Sequence, residues 1–186
     1  GDITHPSDVA RAMGEAQPEI VINAAAYGVD PKQSDAGRTR DINVRGAEIL
    51  LTAARTAGVR RVLHLGSYFE YGDQPGILKE DTMLLASSTY ASTKAVASRL
   101  AASGDFGATE VIVLRLFNVW GRWERADRLV PQIIETCRTR TPMALTAGTQ
   151  RKDFIYAGDA AAWICDLALR PDPLPHRTVN QASGEM

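Results

Sequence analysis

In the stretch "TYASTK" a tyrosine and a lysine, Tyr90 and Lys94, stand four residues apart among small residues. On a helix that spacing puts both side chains on one face. A phenol of ordinary pKa, about 10, is a poor base at neutral pH. An ammonium group beside it stabilises the phenolate and draws its pKa down toward useful acid–base work. A hydroxyl that joins such a pair holds the oxygen that gains or loses the proton, and Ser67 is the candidate. What this chemistry needs is a fold that brings the three together.

Three apolar runs supply the frame: "EIVINAA" (19 to 25), "RRVLHLG" (60 to 66) and "EVIVLRLF" (110 to 117). They do not alternate with polar residues, as expected of strands covered on both faces of a parallel sheet. Helical segments separate them. In 35 to 57, Ile42, Gly46, Ile49, Leu50, Ala53 and Ala57 are placed on one face, with Gly58 as a stop. A second helix is expected from about Ser88 to Ser103, ended near Gly104. Strand, helix, strand, helix, strand is the order of a doubly wound, Rossmann-type α/β sheet. Ligands bind such sheets beyond the carboxyl ends of the strands. Those ends read Asn23-Ala24-Ala25-Ala26, Gly66-Ser67 and Asn118, small or hydrogen-bonding residues that let a ligand approach the backbone. Ser67, Tyr90 and Lys94 then converge on one edge, a set suited to oxidising an alcohol or reducing a ketone with a nicotinamide exchanging the hydride.

Beyond Gly121 the pattern is less regular. "RADRLVPQIIETCRTR" reads as a helix, "TPMALT" as extended, and "FIYAGDAAAWICDLALR" as a short strand and a helix started near Asp159 and stopped by Pro171. "RTVNQA" is a candidate last strand. The division expected is 1–121 for the dinucleotide-binding domain and 122–186 for the remaining sheet elements and part of a small substrate-binding lobe. The opening "GDITHPSDV", without a leading strand, and the close "NQASGEM" suit an internal piece of a longer protein.

Charge is nearly balanced, 21 basic against 22 acidic residues, which leaves no electrostatic footprint for nucleic acid or an anionic membrane. The apolar runs are far too short to span a bilayer, and no secretory pattern opens the chain. Cys137 and Cys165, far apart and without a histidine cluster, are read as reduced and structural, which favours the cytoplasm and argues against a metal site. His64, inside an apolar run, is assigned to the core, whereas His5 and His176 are read as exposed. Arg115 lies in an apolar strand and needs an acidic partner. Asp153 and Asp159 are expected to organise the second region, and Trp123 and Glu124 to border the ligand.

The motifs, in order, resemble the extended short-chain dehydrogenase/reductase family, specifically its NAD(P)-dependent nucleotide-sugar epimerases, dehydratases and 4-ketoreductases. "GDIT" resembles the segment after the third strand, which implies that Asp2 and Ile3 lie near the adenine. "VINAAA" resembles the strand end lining the dinucleotide, implying roles for Asn23, Ala24 and Ala25. "DINVRGAEILLTAARTAGVRRVLHLGS" matches the long helix and next strand, including Asn43. "GSYFEYG" makes Ser67 the hydroxyl of the triad, and "YASTK" is the Tyr-x-x-x-Lys motif. "LRLFNVWG" resembles Arg-x-x-Asn-x-Tyr-Gly, with Trp120 in place of tyrosine and Asn118 toward the substrate diphosphate. "GTQRKDFIYAGDAA" resembles Gly-x-Gln-x-Arg-Asp-Phe, with Lys152 where arginine is usual and Arg151 beside it as a second phosphate candidate.

What the resemblance implies is a nucleotide-sugar enzyme using NAD or NADP, a homodimer, with Tyr90, Ser67 and Lys94 catalytic and Tyr90 and Lys94 also holding the nicotinamide ribose. The family's glycine-rich pyrophosphate loop precedes the matched region and is not among these motifs. Where the 4,6-dehydratases place an Asp-Glu pair after the triad hydroxyl, this chain has Tyr68-Phe69, which disfavours dehydration. A 4-epimerase is the leading expectation, with a 4-keto reductase or a non-catalytic family member as alternatives.

Overall fold

A computed structural model describes residues 1–184. The apolar runs become β1 (Ile20–Asn23), β2 (Arg61–Ser67) and β3 (Glu110–Leu116), paired in parallel. The last expected strand, β6 (Thr178–Gln181), joins β3 in parallel, so the main sheet runs β1-β2-β3-β6. Helices α1 (Pro6–Ala16), α3 (Gly46–Thr56) and α4 (Thr89–Ser103) cover one face, where Val9, Met13, Leu51, Ala54, Ala101, Val62, Val111 and Val113 form one core. The other face packs Leu63, Ile112 and Leu114 against Ile164, Leu167 and Ala168 of α6 (Ala157–Leu169). Alternate residues of β2 thus enter opposite cores, which explains why the run is apolar without a break.

A short strand, β4 (Asn118–Trp120), follows β3 at once, so Asn118 opens a new strand rather than ending β3. Beyond α5 (Leu129–Thr139), β5 (Phe154–Tyr156) pairs with β4 in a separate two-stranded sheet. "TPMALT" pairs with no strand. Helix α6 starts at Ala157, earlier than expected. Both cysteines are free but exposed, so neither is built into the core.

The segment 35 to 57 is helical but does not keep one period. It opens as α2 (Ala36–Arg40), capped by Asp35, and then widens into a π-turn over Asp41–Arg45 before α3. The Gly46 N–H reaches back five residues to the Asp41 carbonyl. That extra residue rotates the face beyond it. Asn43, Gly46, Ala47, Leu51 and Ala54 are buried, while Ile49, Leu50 and Ala53 pack at the margin and Ala57 is exposed. The face expected from a regular period is therefore displaced.

Helix α4 matches its expected span. Ser88 caps it by accepting the Ala91 N–H at 3.1 Å, and Gly104 ends it. Its buried side is small and partly polar, with Ala91, Ala95, Ala97 and Ala101 beside Thr93, Lys94 and Ser98. Short side chains let the helix lie close to β2, and every buried polar group then needs a partner from the sheet or a neighbouring helix.

His64 sits in this interface, 1% exposed, its Nδ1 accepting from Asn23 Nδ2 at 3.1 Å. Burial, with help from the Lys94 charge, lowers its pKa from 6.5 to about 3. Below about pH 6.5 the unfolded chain takes up a proton at this position that the folded chain refuses until about pH 3. Stability should therefore fall as pH drops through that window, and urea midpoints for a His64→Gln variant should lose much of that dependence. An unchanged slope would show that other groups drive the acid loss.

Candidate active site

The site forms where β2 ends and α4 begins. β2 closes on Ser67, and the chain tightens at once into a 3-10 turn, Tyr68–Tyr71. The Ser67 Oγ accepts the Phe69 N–H at 3.3 Å, and Glu70 Oε1 accepts the Ser67 N–H at 2.8 Å. This reciprocal cap satisfies donors that a turn would otherwise leave open. It also fixes the hydroxyl in place. From α4, the Tyr90 phenol comes near the Ser67 hydroxyl, which lowers its pKa. The edge of the Phe69 ring meets Tyr90, with ring centres 6.1 Å apart.

Lys94 lies one helical turn further on, 3% exposed, and its ammonium donates to the Leu65 carbonyl of β2. Burial lowers its pKa from 10.5 to about 8, while the Glu70 charge opposes that fall. The group still carries its proton at neutral pH, poised near the point of losing it. Tyr90 differs from expectation. Burial raises its pKa above the ordinary phenol value; the Ser67 hydroxyl lowers it and the Glu70 charge raises it. Lys94 is bonded to the sheet, not to the phenol, so the expected lowering by the ammonium is absent from this chain alone. Tyr90 is an acid at neutral pH.

The buried carboxylate behind this arrangement is Glu70, 0% exposed. Its Oε1 also accepts from Ser98 Oγ at 2.8 Å, and its Oε2 pairs with Arg115 Nε at 3.0 Å. Arg115, expected to need an acid, thus has one. Its Nη1 donates further to Tyr71 Oη at 2.8 Å and to the Glu80 carbonyl at 3.0 Å. Neither Glu70 nor Ser98 was singled out from the sequence, though signals exist for both. Ser67-x-x-Glu70 has capping-box spacing, and Tyr90, Lys94 and Ser98 repeat every four residues along α4.

At the end of β1, Asn23 is buried, bound to His64 and accepting the Ala25 N–H at 3.2 Å, whereas Ala24, Ala25 and Ala26 are exposed. An exposed run of alanines lets a flat ligand reach the backbone, and β1 lies beside the strand that anchors Lys94. Ile3 packs on the first core, and Asp2 is exposed with its Oδ1 accepting from Thr4 N and Oγ1, both at 2.8 Å. Asn43 bridges the Tyr27 backbone and Thr93 Oγ1, tying the π-turn to α4.

The expected substrate contacts are less tightly gathered. Asn118 is buried and gives its Nδ2 to the Asp153 carbonyl at 2.8 Å, so it serves the β4–β5 pairing. Arg151 is exposed. Lys152 lies over the Tyr68 ring, 5.6 Å from its centre, and so at the margin of the aromatic group formed by Tyr68, Phe69 and Phe117. The Asp153 carboxylate accepts the Ser183 and Gly184 N–H groups, both at 2.8 Å, in an organising role. Asp159 is exposed in the first turn of α6, and Trp123 is 96% exposed in the loop after β4.

Residues 1–181 match the NAD dependent epimerase/dehydratase family. The chain belongs to this family. Over 146 residues it is 27% identical to an uncharacterized UDP-glucose epimerase of Bacillus subtilis, covering 77% of this chain and 46% of that protein. Other relatives carry the names dTDP-glucose 4,6-dehydratase and dTDP-4-dehydrorhamnose reductase. The chain spans about half the length of these curated relatives. Among solved structures, Bordetella bronchiseptica WbmG, in complex with NAD and UDP, superimposes with a TM-score of 0.85 at 26% identity, covering 100% of this chain and 57% of that one. MoeE5 in complex with UDP-glucose and NAD gives 0.83 at 27% identity, covering 100% and 62%. The Rossmann-type fold read from the apolar runs is thus the fold of the family.

The Glu70 carboxylate approaches β2 so closely that any side chain at 66 would force its neighbours to shift. A Cβ there would stand 2.7 Å from Glu70 Oε1 and 3.1 Å from Ser98 Oγ. Gly66→Ala should lower stability by about 1–3 kcal/mol, as read by denaturant midpoints. A neutral effect would mean that the carboxylate can retreat without loss.

Proposed function

We propose that this chain carries the acid–base centre of an NAD(P)-dependent nucleotide-sugar enzyme, with a sugar 4-epimerase as the leading assignment. The observation that carries the reading is the Ser67 hydroxyl standing near enough to the Tyr90 phenol to lower its pKa, with buried Lys94 one turn along the same helix. Tyr90 exchanges a proton with a sugar hydroxyl, and Ser67 orients that oxygen. Lys94 presents a charge at the same edge, where it and Tyr90 would hold the nicotinamide ribose, with Asn23, Ala24 and Ala25 along the dinucleotide and Asp2 and Ile3 toward the adenine. The nicotinamide, when bound, takes or returns the hydride at the sugar carbon. Arg151 and Lys152 are assigned to the substrate diphosphate, and Asn118, whose Nδ2 already donates to the Asp153 carbonyl, is assigned there by family likeness alone.

Net reduction of a 4-keto sugar is the close alternative, and one observation favours it. The Tyr90 phenol, raised by burial, holds its proton at neutral pH and is ready to give it to a carbonyl oxygen. Dehydration is not supported, because the two residues after Ser67 are Tyr68 and Phe69, and Phe69 packs on Tyr90. Family likeness alone supports the homodimer, and the cytoplasmic setting rests on the reading of the two cysteines as reduced; no helix among the described residues is long and apolar enough to cross a membrane. A non-catalytic family member is the remaining reading, and titration with NADH and NADPH separates it, since saturable binding argues against it.

Tyr90→Phe should lower turnover by about 10²–10⁴-fold with UDP-glucose and NAD, or with a nucleotide 4-keto-6-deoxysugar and NADH, while its thermal melt stays in place. Full residual activity would sink the mechanism. If the Lys94 ammonium is required, kcat/KM should fall as pH rises through about 8, where Lys94 loses its proton. A rate that holds level well above that pH would remove Lys94 from the acid–base step.

A further inference from the structure

Glu70 stands behind all three expected catalytic groups and touches none of the solvent. Its Oε1 takes the Ser67 N–H and the Ser98 hydroxyl, both at 2.8 Å, and its Oε2 takes Arg115 Nε at 3.0 Å. Each acceptor oxygen is thereby directed, and the carboxylate is bound to both β2 and β3 and to α4. We propose that Glu70 is a positioning residue of this site, whose buried carboxylate locks the Ser67 strand end and sets the charge acting on Tyr90 and Lys94. The proposal rests on the reading of Ser67, Tyr90 and Lys94 as the reacting set.

The physical argument separates two roles. As a hydrogen-bond acceptor, Glu70 orients Ser67 through its backbone, and an amide in its place retains one acceptor oxygen. As a charge, it favours the protonated forms of both nearby titrating groups, holding the ammonium on Lys94 and the proton on Tyr90. The ionisable groups that interact with Lys94 are Glu70 on the turn, itself paired with Arg115 on β3, and His64 on β2. His64 is neutral across the working range, so Glu70 is the anion that opposes the burial of Lys94. Arg115 Nε pairs with that carboxylate at 3.0 Å, so its charge is not left uncompensated in the interior.

The test compares Glu70→Gln with the wild-type chain by following the Lys94 ¹³Cε resonance against pH, assigned with a Lys94→Arg variant. Wild type should titrate near 8, and Glu70→Gln should titrate about one pH unit or more lower. The alkaline limb of kcat/KM should move with it. Glu70→Gln leaves Arg115 buried without its anion, so Glu70→Gln/Arg115→Met is made as well, and its Lys94 midpoint should also fall. A folded variant in which Lys94 titrates where it does in wild type would overturn the proposal and leave Glu70 a structural cap. The Lys94 midpoint decides the role of Glu70 whether or not the chain turns over. Absent wild-type turnover overturns the functional reading alone.

Discussion

A carboxylate removed from water must be met by donors on every side, or its burial is strongly destabilising. Glu70 meets that constraint with one backbone N–H, one hydroxyl and one guanidinium, each from a different element of the chain. The end of β2, the close seat of α4 and the interior placement of Arg115 all follow from it. Gly66 belongs to the same constraint from the sheet side, as the residue without a side chain where the carboxylate arrives. Tyr71 extends the network, its Oη accepting a hydrogen bond from Arg115 Nη1 and donating one to Asn180 Oδ1 at 2.6 Å, so β6 is tied in as well.

The same interface contains a second polar row that has nothing to do with charge. Asn23 with His64, and Asn43 with Thr93, join neighbouring elements through neutral hydrogen bonds. His64 Nε2 has no partner among the described residues, which makes this row less complete than the one around Glu70. Such networks give a fold uniqueness more than raw stability, since a shift of one element breaks several bonds at once. Here they hold the start of α4 in a single position against β2. An acid–base group needs that rigidity if its proton is to meet the same atom at each turnover.

Much of this was legible in the sequence. Unbroken Val, Ile and Leu runs mark strands buried on both faces, and Ser88 and Gly104 bracket α4 at its true ends. The convergence of Ser67 with Tyr90 follows from a strand end and a helix start. What escaped depends on depth and on partners distant in the chain. Glu70 looks like a loop acid among aromatics, and only Arg115, on another strand, makes its burial tolerable. The raised pKa of Tyr90 could not be foreseen, because spacing suggests a helpful lysine while burial decides the sign. The second region was read more coarsely, since β4 and β5 are three-residue strands with too little pattern to register.

The π-turn at Asp41–Arg45 has a consequence for how this chain tolerates change. A helix with one surplus residue carries a phase slip, and its two halves answer to different neighbours. Ahead of the slip, Thr39 is buried beneath the loop at Gly28; beyond it, Ala47, Leu51 and Ala54 face the sheet. Losing one residue would restore a smooth helix and turn its latter half out of phase with the core. The irregular ring thus works as a clutch between two registers, with Asn43 as the pin that keeps them engaged.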